Sequence, residues 1–251
     1  MRAAMPEEQC VSLTDVTFAF GKSAPVLAVS KLSIATEEKV FVYGPSGSGK
    51  STLLGLVAGV LVPEQGSVDV LGSNLATLSA TRRDRLRADR LGVIFQQFNL
   101  VPYLDLIENV LLPCRFSPAR ARRVAGSAQE RAVKARDMLV RLGLEHEVSS
   151  GQVASELSTG QQQRVAAARA LIGAPSLIIA DEPTSALDTE ARSIFIETLL
   201  GEADKAAVLF VSHDMSLAAH FDRQISMVEI NKAKSTAAAK THAPERELRS
   251  V

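Results

Sequence analysis

The stretch Gly44-Pro45-Ser46-Gly47-Ser48-Gly49-Lys50-Ser51-Thr52 leaves the chain few folds to choose from. It follows a short β-rich apolar run, Lys39-Val40-Phe41-Val42-Tyr43, and precedes Leu53-Leu54-Gly55-Leu56-Val57-Ala58. Strand, glycine-rich turn and helix in that order are the setting in which the pattern G-x-x-x-x-G-K-[ST] cradles phosphates. Gly44, Gly47 and Gly49 let the backbone take conformations that a Cβ resists, so successive N–H groups converge on one anion. The helix that follows adds its positive end. Lys50 is expected on the β- and γ-phosphates, and the Ser51 hydroxyl on Mg²⁺. A chance glycine-rich loop would lack these flanks. Residues 44–52 are read as a nucleoside-triphosphate site.

The rest of the chain narrows the class. Its 251 residues suffice for one large domain with a proper core, and 46% apolar content is that of a globular protein. Lys+Arg and Asp+Glu balance at 28 each, so global charge argues for neither nucleic acid nor an acidic partner. Cys10 and Cys114 stand apart, which points to a reduced compartment and away from a disulfide framework or a zinc site. The first residues lack the apolar core of a signal peptide, and no run approaches ~20 uninterrupted apolar residues. A cytoplasmic protein is expected, with any membrane role resting on another chain.

Along the chain, residues 11–20 alternate with period two, and 26–34, 39–43 and 67–72 add further strands, so antiparallel strands surround the phosphate loop. Residues 81–90 form a charged helix, read as a solvated face. Residues 91–95 form a strand that delivers Gln96, and 98–156 read as mostly helical with breaks at Pro102, Pro113 and Pro118. Residues 115–136 carry seven basic residues against one acidic. A solvated helix is the default there, although an anionic lipid surface could use it. Ser158 is a plausible N-cap, with Gln161 in capping-box position. Such an end is also a phosphate-binding one, and the local pattern does not choose between the two readings.

Residues 176–180 are apolar throughout, as in a parallel strand buried on both faces. They end in Asp181-Glu182, where the carboxyl edge of the sheet should meet the ligand. Asp181 can hold the Mg²⁺ shell opposite Ser51, and Glu182 can orient or deprotonate an attacking water. Residues 206–212 are a second buried strand and deliver His213. With phosphate chemistry already at that edge, His213 is read as a partner of the γ-phosphate and the water.

Together these motifs resemble one family, the ATP-binding cassette ATPases, over about residues 11–230. Walker A is 44–51 and the Walker B strand 177–181. Glu182 matches the catalytic glutamate, Gln96 the Q-loop glutamine, His213 the switch histidine and Ser185-Ala186-Leu187-Asp188 the D-loop. Leu157-Ser158-Thr159-Gly160-Gln161 matches the family signature, with Thr159 where a first glycine is usual. Ser158, Gly160 and Gln161 remain for the nucleotide, and Phe20 stands where an aromatic ring stacks on adenine.

The resemblance implies an α/β fold: a P-loop NTPase with a RecA-like core, an N-terminal antiparallel β subdomain and an inserted α-helical subdomain. The cassette would cover 1–231 with the helical insert at about 97–160, and 232–251 would be a flexible tail. It further implies ATP and Mg²⁺, the latter held by Ser51, Gln96 and Asp181. A second copy would pack head to tail, each ATP lying between one phosphate loop and the partner's signature. Separately encoded membrane permease subunits would place the protein on the cytoplasmic face of the membrane. Phe98-Asn99-Leu100-Val101-Pro102-Tyr103 and Glu108-Asn109-Val110-Leu111-Leu112-Pro113 look like the macrolide-export and lipoprotein-release branch. An ATP-driven switch on a membrane partner, of the cell-division type, is the alternative. A soluble DNA-repair or translation protein is disfavoured by the single cassette and the missing heptads and zinc module.

Overall fold

The structure, a computed structural model, describes residues 9–185, 187 and 189–233. Two sheets form it. β1 (Gln9–Phe18), β2 (Leu27–Ala35), β4 (Gln65–Val70) and β5 (Ser73–Asn74) make an antiparallel sheet in the order β2-β1-β4-β5. β3 (Lys39–Tyr43), β6 (Leu91–Ile94), β7 (Leu177–Asp181), β8 (Ala207–Val211) and β9 (Arg223–Ser226) make a parallel sheet ordered β6-β7-β8-β3-β9.

The continuous apolar runs are explained by what lies on each side of that sheet. Val40, Val42, Leu177, Ile179, Leu209 and Val211 face the core shared with the antiparallel sheet and α1 (Lys50–Val57). The alternate residues Phe41, Ile178, Ala180, Val208 and Phe210 face a second core, built on α7 (Thr159–Leu171) and the helical insert. There Phe210 lies 5.0 Å from Phe221 and Phe41 lies 5.3 Å from it, ring centre to ring centre. Strand polarity then puts every carboxyl end of β3, β6, β7 and β8 along one edge.

Between β5 and β6 runs α2 (Ala80–Arg90), which buries no residue and pairs Arg85 with Asp89 and Arg87 with Asp84, as its charge pattern predicts. Its arginines do more than solvate a face. Arg83 Nε donates to Gly59 O and Arg87 Nη1 to Ala58 O, closing the carbonyl end of α1. The helical insert comprises α3 (Leu106–Phe116), α4 (Pro118–Val124), α5 (Ala128–Arg141) and α6 (Glu145–Ser150). One sequence expectation fails here. Pro113 does not break α3 but lies inside it, and the helix runs on until the Ser117 N–H donates to Pro113 O. The ring removes one rung of the ladder, while an Asp105–Glu108 capping box and the buried face Leu106, Asn109 and Val110 hold the rest. Pro118 does mark a boundary, as the first residue of α4.

The basic stretch is also less solvated than its composition suggests. Arg120 is buried and donates to Leu91 O, Arg123 caps Gly173 O, Arg131 bonds Ala125 O and Gly126 O, and Arg115 pairs with Glu108. Bonds to carbonyls leave the guanidinium charge in place and only Arg115 meets a carboxylate, while Arg122, Arg123, Lys134 and Arg136 are exposed as a solvated face expects. After β8 come a 3₁₀ turn (Met215–His220), β9 and the short α9 (Met227–Ile230); α8 (Thr189–Glu202) links β7 to β8. Of the expected tail, 232–251, residues 234–251 lie outside the described residues, while Lys232 N–H donates to Ala28 O at 2.8 Å and Ala233 is buried, so these two belong to the packed domain.

Candidate nucleotide site

A cavity of 520 Å³ opens at the carboxyl edge of the parallel sheet. Four of the five strands contribute to its wall. β3 supplies the phosphate loop, Gly44, Pro45, Ser46, Gly47 and Gly49, which passes into Lys50, Ser51 and Thr52 of α1. β6 supplies Gln96, β7 Asp181, Glu182 and Ser185, and β8 His213; Val26, ahead of β2, closes the remaining side. α1 begins without a side-chain cap after Gly49, whose φ of 97° lies in the left-handed region. A helix opening with bare N–H groups toward a cavity is an anion site waiting for its ligand.

Lys50 Nζ donates to Gly44 O at 2.8 Å and Pro45 O at 3.2 Å, so the ammonium bridges the loop. Asp181 is half-buried. Burial pushes its carboxyl above the ordinary range, the Ser51 hydroxyl opposes that by hydrogen bonding to it, adjacent Glu182 raises it further and Lys50 lowers it. Such a carboxylate is short of positive charge, and with the Ser51 hydroxyl and the Gln96 amide it offers the hard oxygens that suit Mg²⁺. Among the described residues no cluster of three or more His, Cys, Asp and Glu forms a metal cage.

Glu182 Oε2 lies 2.7 Å from His213 Nδ1; the carboxylate is 14% exposed and the imidazole 71%. Glu182 itself has φ 48°, left-handed for a non-glycine residue, with its N–H held by Val211 O. Two residues that the sequence did not single out secure this corner. Arg192 of α8 donates through Nε to Thr184 O and through Nη1 to Asp214 Oδ2, joining the turn after Glu182 to the residue after His213. Asp214 in turn accepts from the Ser216 N–H and hydroxyl. A lone arginine on a helix carries no signal of such a role. On the Gln96 side, Arg169 of α7 bonds Asn99 O and Phe98 O, while Asn109 bonds Val101 and Leu104, fixing the turn in which Phe98 and Asn99 have positive φ.

The remaining expected site residues stand elsewhere. Ser48 is buried, its hydroxyl tucked behind Gly44 rather than into the cavity. Phe20 is 55% exposed, edge-on to Phe18 at 4.9 Å, and does not reach the cavity wall. Ser158 caps α7 in a full capping box with Gln161, whose amide also donates to Glu147 Oε1 at 2.5 Å. Neither Ser158, Gly160 nor Gln161 lines the cavity. Thr159 is exposed, whereas a Cβ at Gly160 would stand 3.0 Å from Leu187 Cδ2, so a side chain at 160 requires the Leu187 side chain to give by a few tenths of an ångström. Of the expected D-loop, Ser185 and Leu187 are described; Ala186 and Asp188 lie outside the described residues.

A parallel sheet with a phosphate loop, a strand-end carboxylate pair and a histidine at one edge defines a P-loop nucleoside triphosphatase. The comparisons with known proteins narrow this. The family model described as "ABC transporter" matches residues 27–185, and the chain belongs to that family. It is an ATP-binding and ATP-hydrolysing subunit of an ABC transporter. The chain is 41% identical over 207 residues to the lipoprotein-releasing system ATP-binding protein LolD of Hydrogenovibrio crunogenus, covering 82% of this chain and 86% of that one. It is 38% identical over 211 residues to the ABC transporter ATP-binding protein YtrE of Bacillus subtilis, covering 81% and 87%. These relatives bear out the branch expected from residues 98–113. Among solved structures, the bacterial ABC transporter cassette MJ0796 in dimeric form matches with TM-score 0.75 and 35% identity, covering 86% of this chain and 94% of that one. A dimeric post-hydrolysis state of MJ0796 bound to ADP and Pi matches with TM-score 0.76 and 34% identity, covering 96% and 100%.

Proposed function

We propose that this chain powers extraction or export of a lipoprotein-like substrate through separately encoded membrane subunits, acting as a head-to-tail pair. The observation that carries this is a division within one chain. Lys50, Ser51, Gln96, Asp181, Glu182 and His213 share one cavity, while Ser158, Gly160 and Gln161 cap α7 outside it. A signature end that cannot serve its own nucleotide fits one that serves a partner's, as a self-complementary pairing of two copies allows. The dimeric cassette among the structural neighbours and the lipoprotein-releasing relatives support the same reading.

In this reading Lys50 leaves the carbonyls of Gly44 and Pro45 for the β- and γ-phosphates, and the N–H groups of the loop and α1 hold the remaining oxygens. Glu182 takes the proton of the attacking water as the bond to the γ-phosphorus forms and ADP leaves. His213 keeps that carboxylate in place, and Gln96 reports the γ-phosphate to the helical insert. Mg²⁺, held by Ser51, Asp181 and Gln96, would neutralise charge on the phosphates. Phe20 would stack on adenine from the rim. Loss of the γ-phosphate removes contacts that only the closed pair makes, which turns hydrolysis into an open–closed cycle.

Beside Gln96 a groove of 290 Å³ is lined by Val93, Phe95, Leu112 and Phe116, the last 70% exposed. It suits a cytoplasmic helix of the membrane subunits. Among the described residues no helix is long and apolar enough to cross a membrane, so attachment to the cytoplasmic face would come through that groove.

Glu182→Gln tests the reading. The variant should lose turnover by 10²–10⁴-fold while keeping ATP affinity. With ATP and Mg²⁺ its mass in light scattering should double. Purified from gently solubilised membranes, it should carry a membrane protein with few spans and a large extracytoplasmic domain. Turnover at the wild-type rate would sink the assignment of Glu182.

A further inference from the structure

Behind the phosphate loop lies a short segment to which none of the expected motifs belongs. β9 ends at Ser226, in register with Tyr43, and α9 and Asn231 follow. Both ends of the loop lean on this segment. A Cβ at Gly44 would stand 2.9 Å from Met227 Cβ, and one at Gly49 would stand 3.1 Å from Asn231 Nδ2. Met227 is wholly buried.

The Asn231 amide is saturated. Its Nδ2 donates to Ser48 O at 2.9 Å and Val26 O at 3.0 Å, and its Oδ1 accepts from the N–H groups of Ala28 at 2.9 Å and Ala233 at 3.0 Å. Two carbonyls on one side and two N–H groups on the other fix its orientation, since a flipped amide would set donors against donors. The Asn231 N–H bonds Met227 O at 3.0 Å, which anchors the residue to α9.

Two of these bonds fall on the cavity. Val26 is one of its walls and the Ser48–Gly49 peptide belongs to the other. In a planar trans peptide the C=O and N–H point in opposite directions. Asn231 draws the Ser48 carbonyl rearward and so turns the Gly49 N–H away from itself, toward the phosphate side of the loop. A flip of that peptide would present a carbonyl oxygen to the phosphates instead. The same amide fixes the span between Val26 and the loop.

We infer that Asn231 is a positioning residue for ATP, holding the Ser48–Gly49 peptide in its anion-binding orientation and tying the phosphate loop to the Val26 wall. The inference rests on the nucleotide reading of this cavity. Asn231 touches no reacting atom, so its removal acts on affinity more than on turnover.

The test uses the full chain, fluorescent ATP and ADP titrations, steady-state ATPase kinetics and a melting curve without nucleotide. Asn231→Ala should raise the ATP KM and the ADP Kd about tenfold, ~1.4 kcal/mol, while kcat changes less. Asn231→Asp has the same shape and keeps the bonds from Ala28 and Ala233, but sets a carboxylate oxygen against the Ser48 and Val26 carbonyls. Its loss of affinity should be larger and should persist in 1 M salt, where through-space charge is screened within about 3 Å. Nucleotide binding by both variants within twofold of wild type, whatever happens to the melting midpoint, would overturn the inference. Wild-type protein that binds no ATP would overturn the nucleotide reading beneath it.

Discussion

Gly92→Ala should strike both stability and turnover through a single added methyl group. Gly92 lies in β6 under α7, and a Cβ built there would stand 2.4 Å from Ala170 O and 3.0 Å from its carbonyl carbon. Ordinary contact begins near 3.4 Å, so strand and helix must separate by about 1 Å. Neither is free to move. β6 is paired with β7 from Leu91 to Ile94, and α7 is packed through Val165, Ala166, Ala167 and Ala168 and tied at Arg169 to Phe98 O and Asn99 O. The obstacle is backbone, so no side-chain rotation relieves it. Overpacking of this kind costs about 3 kcal/mol. For a chain of this size that lowers the melting midpoint by ~6–12 °C. Because α7 carries Ser158 and Gly160 at its start, ATPase kcat should fall further than ATP KM rises, the phosphate loop being on the far side of the sheet. Scanning calorimetry and steady-state ATPase assays read both. A midpoint within about 2 °C of wild type would show that β6 and α7 are not in the contact described, and would remove the reasoning.

Two further outcomes follow from the charge environment. Burial pushes the Cys10 thiol up to about 11 from 9.0, and Cys10 Sγ faces Ser176 O; at pH 8 iodoacetamide should modify half-buried Cys114 well before Cys10, and equal rates in folded protein would contradict this packing. The Ser216 hydroxyl and N–H, with Arg192 opposite, hold the Asp214 carboxyl below its ordinary 3.8. Its stabilisation is thus complete above 3.8 and is lost as pH falls through the lower folded value, so Asp214→Asn should cost about 0.5–1 kcal/mol at pH 7 and progressively less below pH 3.8, which urea titration at several pH values would measure.

The sequence displays those parts of the fold whose physics is local. The phosphate loop, the apolar runs of β7 and β8 and the Ser158–Gln161 capping box each need only neighbouring residues to be recognised, and each is found where the pattern puts it. Pro113 was misread because a helix's tolerance of proline depends on what packs against it, here a face of Leu106, Asn109 and Val110. Arg120 was misread for a similar reason: charge pattern does not show that Leu91 O lies within reach of its guanidinium. Asn231 stands at the edge of a lysine- and alanine-rich stretch that reads as tail, yet its partners Ser48, Val26 and Ala28 lie about two hundred residues away in the chain. Arg192 is the same case. Residues whose work is to hold other residues leave no spacing to detect.

Glu182 has a consequence of another kind. Its left-handed φ of 48° is a conformation that a glycine adopts freely and a glutamate does not, a difference on the order of 1 kcal/mol or more. Left to folding alone, random substitution would carry this position toward glycine or asparagine, and the protein would become more stable for it. The glutamate sets its carboxylate 2.7 Å from His213 Nδ1 and carries that backbone cost in the folded state. Asp15, Glu37, Leu71, Phe98, Asn99 and Ala174 carry a similar cost elsewhere, so at Glu182 it is the position of the carboxylate, beside the phosphate loop, that gives the strain its meaning.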